Sequence, residues 1–445
     1  MILHTSLSKP LTGAYVLPGD KSLAHRSALF ASLAEGESVI GGFPLSGVTR
    51  AMLDALTAFG IPWSVTDGTL SVTGAGLRGL RPPAAPVTCR NSATTIRLLA
   101  GAVVAAGIPC SLDGSDGLRR RPMNRVTEPL RAMGAMIETA PGGGAPLVIQ
   151  GRAPSVRLTS GTHTLSVASA QVKSCLLLAA LAADGPVTLC EPGPSRDHTE
   201  RMLAAMGVDI RCDPAAHRIT LTPPAFPLRP LRATLAGDIS TAAFLIVAAT
   251  VIPGSDISLR GVGVNPTRTG LLDALRAMGA DITESNPRQE SGEPVADLRI
   301  RAASLRGTAV AGDLVVRMID EFPVFAVAAA CAAGTTDVRD AAELRHKESD
   351  RIDRLCTELA GVGVDITPYP DGFTIRGGPI TGGSVDAHGD HRIAMALAVS
   401  GWVSKRGVTV RNAEVLAESF PYFVPVFTRL GAAVQVSVQG VQSGL

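Results

Sequence analysis

The chain has 445 residues, of which 46% are hydrophobic and 18% charged, and its formal net charge is +2. These values exclude a disordered chain and any global attraction to nucleic acid or an anionic membrane surface, so anion binding must come from local clusters. The sixteen aromatic residues (2 Trp, 3 Tyr, 11 Phe) form no aromatic-plus-basic stripe of the kind that stacks bases.

Seven cysteines, at 89, 110, 175, 190, 212, 331 and 356, contain no CxxC pair, and most stand in apolar runs. Buried, reduced thiols and a reducing compartment are expected. Met1-Ile2-Leu3-His4-Thr5 lacks a basic region followed by an apolar core, so no signal peptide is expected. The longest apolar runs, such as 322–334, fall short of the ~18 residues a membrane span needs. The expectation is a soluble, cytoplasmic protein.

In chain order, the first charged element is Pro18-Gly19-Asp20-Lys21-Ser22-Leu23-Ala24-His25-Arg26. Pro-Gly breaks what precedes it, and Ser22 is read as the cap of a helix over 23–33. Lys21, Ser22 and Arg26 then sit on its first turns, where free N–H groups and the positive dipole end suit an anion. A solvated surface helix start explains the same residues, and both readings stand at this point.

Further apolar helices are predicted over 94–106, 170–183, 239–251, 322–333 and 391–403, with short strands between them at 39–40, 186–189, 257–259 and 408–410. Each helix opens on a polar cluster: Lys21-Ser22, Asn91-Ser92-Ala93-Thr94, Ser169-Ala170-Gln171, Asp238-Ile239-Ser240, Asp320-Glu321 and Asp390-His391-Arg392. A second signature recurs, in which an amphipathic helix end meets a glycine and then a strand of period two. Leu130-Arg131-Ala132-Met133-Gly134 and Leu275-Arg276-Ala277-Met278-Gly279 are two copies. The six glycines stand at 60, 134, 207, 279, 363 and 431, at intervals of 74, 73, 72, 84 and 68 residues. Two helices and several strands per interval argue for six α/β subdomains. Units related by rotation would point their helix starts one way and make that end strongly positive.

Other polar clusters have no such periodicity. Arg345-His346-Lys347-Glu348-Ser349-Asp350-Arg351 is either a solvated face or a site. Arg119-Arg120-Arg121 precedes a predicted helix and suits bidentate phosphate or carboxylate contact. Asp320 is either an N-cap or a base with a raised pKa. The eight histidines show no HxxxH and no Cys/His spacing, and the chain has no GxxxxGK[ST], complete GxGxxG or GxSxG motif. No metal and no cofactor are expected.

Taken together, these residues resemble the 5-enolpyruvylshikimate-3-phosphate synthases (3-phosphoshikimate 1-carboxyvinyltransferases), from about Leu11 to Val434. The matching motifs are Pro18-Gly19-Asp20-Lys21-Ser22-x-x-His25-Arg26, Asn91-Ser92-Ala93-Thr94-Thr95-x-Arg97-Leu98, Arg121-Pro122-Met123, Ser169-Ala170-Gln171-Val172-Lys173-Ser174 and Ser195-Arg196-Asp197-His198-Thr199-Glu200. Asn265-Pro266-Thr267-Arg268, Asp320-Glu321, Lys347-Glu348-Ser349-Asp350-Arg351 and Asp390-His391-Arg392 continue them in family order.

The resemblance implies a two-domain inside-out α/β barrel of six βαβαββ repeats, three per domain. One domain would be discontinuous, 1–19 plus 237–445, and the other would span 20–236. It implies transfer of the enolpyruvyl group of phosphoenolpyruvate to the 5-hydroxyl of shikimate-3-phosphate with release of phosphate, a shikimate-pathway step of aromatic amino acid biosynthesis. By likeness, Lys21, Ser22, Arg26, Ser169, Ala170, Gln171, Asp320 and Lys347 would hold shikimate-3-phosphate, with Ser195 and Arg196 near its phosphate. Lys21, Asn91, Ala93, Arg121, Gln171, Arg351 and Arg392 would hold phosphoenolpyruvate. Asp320 would serve as base, Glu348 as acid, and Lys21 would assist the leaving phosphate, with domain closure excluding water. Only small-molecule partners and a monomer are implied. Ala93 stands where many members have Gly, which marks the chain as a candidate for glyphosate insensitivity.

The chain also departs from the family pattern. Arg90 replaces Gly before Asn91, Val48 replaces an Asp, Ser115 and Gly117 replace the Asp and Ser of a GDxSL run, and Asn124 replaces Gly after Arg-Pro-Met. Glu418 stands where some members have a substrate-facing Lys. Arg90 is expected either to add a cation or to obstruct the site. Rival readings are a secondary-metabolism paralogue acting on shikimate-3-phosphate, the sister transferase acting on UDP-N-acetylglucosamine, and a non-enzymatic anion binder. The sister family has Lys-Asn at Lys21-Ser22 and a reactive Cys before its Arg-Pro, whereas 114–121 here has no Cys.

Overall fold

The structure, a computed structural model, describes residues 1–437. It divides into two compact units. One comprises residues 1–17, 237–288 and the described residues from Pro294 on; the other comprises Pro18–Ala236 with Gln289–Glu293.

Each unit contains three four-stranded sheets, all built to one plan. Gly161–Thr164 runs parallel to Val187–Cys190, which pairs antiparallel with Arg218–Thr222, which in turn pairs antiparallel with Asp209–Asp213. The sheets starting from Val87–Thr88 and Ala309–Val310 repeat this order with strands consecutive in their own repeats. The other three recruit a strand from far along the chain. Arg232–Thr234 lies parallel to Glu35–Gly41, and Thr12–Val16 lies parallel to Asp256–Gly263. Ile2–Thr5 inserts between Val408–Arg411 and Val434–Ser437. Strand faces follow the period-two pattern: Leu70 and Val72 of Thr69–Ala75 are buried while Thr73 is exposed.

Six apolar helices fill the interiors: Lys21–Leu33, Ala93–Ala106, Ala170–Ala180, Ile239–Val251, Phe322–Cys331 and His391–Gly401. They are buried on nearly every side, as helices hydrophobic all round must be, and the sheets cover them. Three end before the apolar pattern does. After Ala180 the chain continues in i→i+3 turns, with Leu181, Ala182 and Ala183 N–H groups donating to the carbonyls of Leu178, Ala179 and Ala180. Trp402 and Val403 do the same after Gly401, so the run stays buried but tightens out of α geometry. The helix Phe322–Cys331 also stops short, at the cap Ala332.

The six repeat glycines carry φ of 76, 90, 95, 96, 91 and 109°, in chain order. At Gly60 the turn is closed by Gly60 N–H to Thr57 O (3.0 Å) and Ile61 N–H to Leu56 O (3.0 Å). This is the left-handed helix end that lets a strand start at once; a β-carbon there would be strained. Among the described residues no helix is long and apolar enough to cross a membrane.

Candidate active site

In the unit built mainly from Pro18–Ala236, the three apolar helices meet at their N-terminal ends. His25 Nε2 lies 3.4 Å from Ser92 Oγ, linking the first helix to the cap of the second. Arg97 Nη1 donates to Gln171 Oε1 (2.7 Å), and Gln171 Nε2 donates to Thr94 Oγ1 (3.0 Å), linking the second to the third. Arg26 Nη2 donates to Ser174 Oγ (2.8 Å), linking the third back to the first. The expected cap Ser22 is not the cap. Asp20 is, its carboxylate accepting from Leu23 N–H at 2.9 Å, which leaves Ser22 and Lys21 inside the first turn.

Lys21, Ser22, Arg26, Asn91, Ala93, Arg121, Ser169, Ala170, Gln171, Ser195 and Arg196 all fall in this unit. Arg26 is buried; its Nε donates to Thr199 Oγ1 (2.8 Å) and its Nη1 to Ser22 O (3.0 Å). Arg196 Nη1 approaches Ser22 Oγ at 3.5 Å. Arg97 Nη2 donates to Pro122 O (3.0 Å), which places Arg121 beside the same helix starts. Ala93 is the buried first residue of its helix. The set joins the guanidiniums of Arg26, Arg121 and Arg196 and the ammonium of Lys21 to the neutral side chains Ser22, Asn91 and Gln171. Such an array holds multiply charged anions.

Behind it lies a buried ionic group. Lys173 Nζ sits 2.9 Å from Glu191 Oε2 and 2.7 Å from Glu200 Oε1. Burial opposes the charge of Lys173, but Glu200 and Glu191 outweigh it and hold the ammonium above its usual pKa. Burial likewise raises the Glu200 carboxyl. Glu191 also accepts from Ser195 Oγ at 2.5 Å, so the group fixes the Ser195-Arg196 turn.

The second unit has its own convergence, and it carries carboxylates. Asp320, Lys347, Glu348, Arg351 and Arg392 lie here. Arg351 is sealed from solvent; its Nε donates to Asp390 Oδ2 (2.8 Å) and its Nη2 to Glu348 Oε2 (2.6 Å). Arg351 Nη1 is 3.6 Å from Asp320 Oδ1, and Lys347 Nζ is 3.8 Å from the same oxygen. Arg392 Nη1 donates to Asp320 O (3.0 Å), and Asp390 caps the helix His391–Gly401, accepting from Arg392 N–H at 2.9 Å. Asp320 is therefore not a cap: Glu321 occupies that position, and Glu321 Oε1 accepts from Ser240 Oγ in a short bond. Arg268 Nη2 donates to Ser240 Oγ (2.9 Å).

The electrostatics follow from these contacts. Burial works against the Arg351 charge, but Asp390 and Glu348 overcome it and hold the guanidinium above its usual pKa. Burial alone would raise the Asp390 carboxyl; Arg351 more than offsets this and holds it low. Burial pushes the Lys347 ammonium below its ordinary range, with Asp320 opposing. A half-buried carboxylate pair, Asp320 and Glu348, thus stands on either side of a locked guanidinium. It can exchange protons while the cations hold an anionic partner.

Arg90 neither adds a cation at the helix starts nor blocks them. Its φ is 51°, and its Nη2 donates to Asp54 Oδ2 at 2.7 Å on the helix Gly47–Ala58. Val48 contributes a backbone carbonyl, 3.2 Å from His25 Nε2. Asn124 begins the helix Asn124–Ala132, and Glu418 ends the 3₁₀ helix Ala413–Glu418.

Arg97, Lys173, Ser174, Thr199, Ser240 and Arg268 lie in the quoted motifs, but the sequence reading gave them no role. The available signal was charge inside an apolar helix, as for Arg97 in Ile96-Arg97-Leu98-Leu99 and Lys173 in Val172-Lys173-Ser174-Cys175-Leu176. A buried charge requires partners. Among the described residues no group of His, Cys, Asp and Glu suits a metal ion. The cysteines are free; Cys89, Cys110, Cys175 and Cys356 are buried, Cys190 and Cys331 half-buried and Cys212 exposed. Burial pushes the thiols of Cys110, Cys175, Cys331 and Cys356 up to about 12.

Comparison with known proteins agrees with this geometry. The family model described as EPSP synthase (3-phosphoshikimate 1-carboxyvinyltransferase) matches residues 6–427. A 3-phosphoshikimate 1-carboxyvinyltransferase of Methylococcus capsulatus is 46% identical over 428 residues, 96% of this chain and 97% of that protein. One from Synechococcus sp. is 47% identical over 435 residues, 96% of each chain. Among solved structures, EPSP synthase of Acinetobacter baumannii aligns with a TM-score of 0.86 at 39% identity, covering 98% of this chain and 100% of that one. The enolpyruvyl transferase NikO of Streptomyces tendae aligns with a TM-score of 0.79 at 19% identity, covering 99% of each chain, which speaks to fold alone.

Proposed function

The chain belongs to the EPSP synthase family, and from that premise we propose how its residues divide the work of the family's reaction. Its function is transfer of the enolpyruvyl group of phosphoenolpyruvate to the 5-hydroxyl of shikimate-3-phosphate, with release of phosphate, in the shikimate pathway. Both substrates are anions, and a cationic array at helix N-termini is what they require.

In our reading, Lys21, Ser22, Arg26, Ser169, Ala170 and Gln171 hold shikimate-3-phosphate, with Ser195 and Arg196 at its phosphate and Asp320 and Lys347 at its reacting hydroxyl. Lys21, Asn91, Ala93, Arg121, Gln171, Arg351 and Arg392 line phosphoenolpyruvate. Asp320 takes the proton of the 5-hydroxyl as its oxygen bonds to C2 of phosphoenolpyruvate, and Glu348 delivers a proton to C3. In the second step the Glu348 carboxylate takes a proton back from C3 as the C2–O bond to phosphate breaks, with Lys21 stabilising the departing phosphate. The observation that supports this most is the Asp320–Arg351–Glu348 arrangement, two carboxyls flanking a guanidinium that Asp390 keeps charged and fixed.

All the proposed residues come from one chain, so we take the working unit to be a monomer acting on small molecules alone. Free cysteines, four of them buried, support a reducing, cytoplasmic setting. We also propose that the compact units act as the two domains of the family fold. The test is a phosphate-release assay with shikimate-3-phosphate and phosphoenolpyruvate; absence of turnover with that pair overturns the reading.

A further inference from the structure

The charged cluster 345–351 gives Lys347, Glu348 and Arg351 to the proposed reaction and leaves Arg345 without a part in it. Lys347, Glu348 and Ser349 belong to no helix or strand; they link the 3₁₀ helix Ala342–His346 to the helix Arg351–Gly361. Such a link has no ladder of its own, so its course is set by what holds its ends. Arg345 holds both. Its Nη1 donates to Asp350 Oδ2 at 2.7 Å, which closes a ring around 346–349. Asp350 is the cap of the following helix and uses its other oxygen for that, Oδ1 accepting from Asp353 N–H at 3.0 Å.

The remaining nitrogens of Arg345 face a turn that is fixed independently. Nε donates to Pro370 O and Nη2 to Tyr369 O, both at 2.7 Å, where the antiparallel strands Asp365–Tyr369 and Gly372–Arg376 join. The same turn holds the approach to the segment: Ala341 N–H donates to Asp371 O at 2.7 Å and Asp340 N–H to Asp371 Oδ2 at 2.9 Å. Inside the ring, Ser349 Oγ donates to Asp390 Oδ2 (3.1 Å). A planar guanidinium serves acceptors in three fixed directions, which a point charge does not. The side chains of Arg345 and Asp350 are 30% and 36% exposed, so their ion pair adds little to stability and its geometric effect is separable from folding.

We infer that Arg345 is a positioning residue that holds Lys347 and Glu348 beside Asp320 and Arg351, and that it acts on proton transfer to C3 rather than on binding of phosphoenolpyruvate. This rests on the reading above that Glu348 delivers that proton. A displacement of about 1 Å costs up to roughly 10²-fold in rate.

The test compares kcat of the full-length enzyme in H₂O and in D₂O. Arg345→Met, which keeps the stem and loses every donor, lowers kcat about ten- to a hundredfold. Proton transfer then limits the rate, so the solvent isotope effect on kcat rises. KM for phosphoenolpyruvate stays unchanged, because Arg351 and Arg392 keep their own anchors on Asp390 and Asp320 O. A smaller fraction of folded enzyme scales both rates alike and leaves their ratio as it was, so the ratio separates positioning from folding. Asp350→Ser retains a capping oxygen but does not reach Arg345; its unfolding midpoint is kept, and its isotope effect rises in the same direction by less. Wild-type kcat or a wild-type isotope effect in Arg345→Met overturns the inference alone. If that variant does not fold, a wild-type isotope effect in Asp350→Ser overturns it. A wild-type enzyme that releases no phosphate from the substrate pair overturns the functional reading, and the inference with it.

Discussion

Arg351 Nε donates to Asp390 Oδ2 at 2.8 Å, and both side chains are sealed from solvent. Asp390 also caps the helix His391–Gly401, so one carboxylate organises both a charge and a helix start. Removing a partner from a buried pair leaves an uncompensated charge. Asp390→Ala is expected to cost about 3–5 kcal/mol of stability, read from the shift in a urea unfolding curve. A loss below about 1 kcal/mol would mean that water or another residue takes over the Arg351 charge.

Asp320 is held differently. It is half-buried and its carboxylate is approached by Arg351 at 3.6 Å, Lys347 at 3.8 Å and Arg392 Nη2 at 4.0 Å, while its backbone carbonyl accepts from Arg392 Nη1 at 3.0 Å. Loss of the side chain removes the ion pair with Arg392, the longest of these, but leaves Arg392 its bond to the Asp320 backbone carbonyl and its pairing with Glu321 at 3.7 Å. Asp320→Ala should lower kcat by roughly 10²–10⁴-fold, the range for loss of a general base, while KM for phosphoenolpyruvate changes little. Near-normal kcat would remove Asp320 from the catalytic role.

The repeat was legible because it is a matter of period. Six glycines recur at near-equal spacing, and all six adopt the left-handed conformation their position implies. The caps were legible only in part. Ser22 and Asp20 are both good N-cap residues two positions apart, and local chemistry does not rank them; the structure chooses Asp20. The contacts that join the helix starts were not legible. Arg26 meets Thr199 across 173 positions, and Ser240 meets Glu321 across 81. Periodicity says that an Arg inside an apolar helix must find a partner, but not which one. The strands Thr12–Val16 and Arg232–Thr234 were hidden for a related reason, because each completes a sheet whose other strands lie far away in sequence.

His25 gives the unit containing it a pH dependence. Its ring is buried, with Nδ1 2.8 Å from Lys21 O and Nε2 3.2 Å from Val48 O. Burial, chiefly, with Lys21 and Arg26 adding to it, pulls the pKa down to about 4 against the two carbonyls. The folded value lies below the unfolded one of about 6.5, so this contribution is present above pH 6.5 and lost as the pH falls toward 4. The full shift corresponds to about 3 kcal/mol. Urea unfolding free energies measured from pH 7 to 4 should fall more steeply for the wild type than for His25→Gln. Parallel profiles would show that the ring finds a counter-charge on protonation.

Ala93 is the first residue of the helix Ala93–Ala106, follows the cap Ser92, and is buried. Helix geometry ties its methyl group to a backbone that cannot shift cheaply, because Ser92 Oγ accepts from Thr95 N–H at 3.2 Å and Arg97 is tied to Gln171 one turn on. If this methyl reaches the phosphoenolpyruvate site, it takes up space that the substrate does not need and that the larger analogue glyphosate does. Ala93→Gly removes it at a modest propensity cost of up to about 1 kcal/mol. The expected outcome is an inhibition constant for glyphosate that falls by well over the change in KM for phosphoenolpyruvate, measured in the same phosphate-release assay. Strong inhibition of the wild type at low glyphosate, unaltered in Ala93→Gly, would show that the methyl group does not face that site.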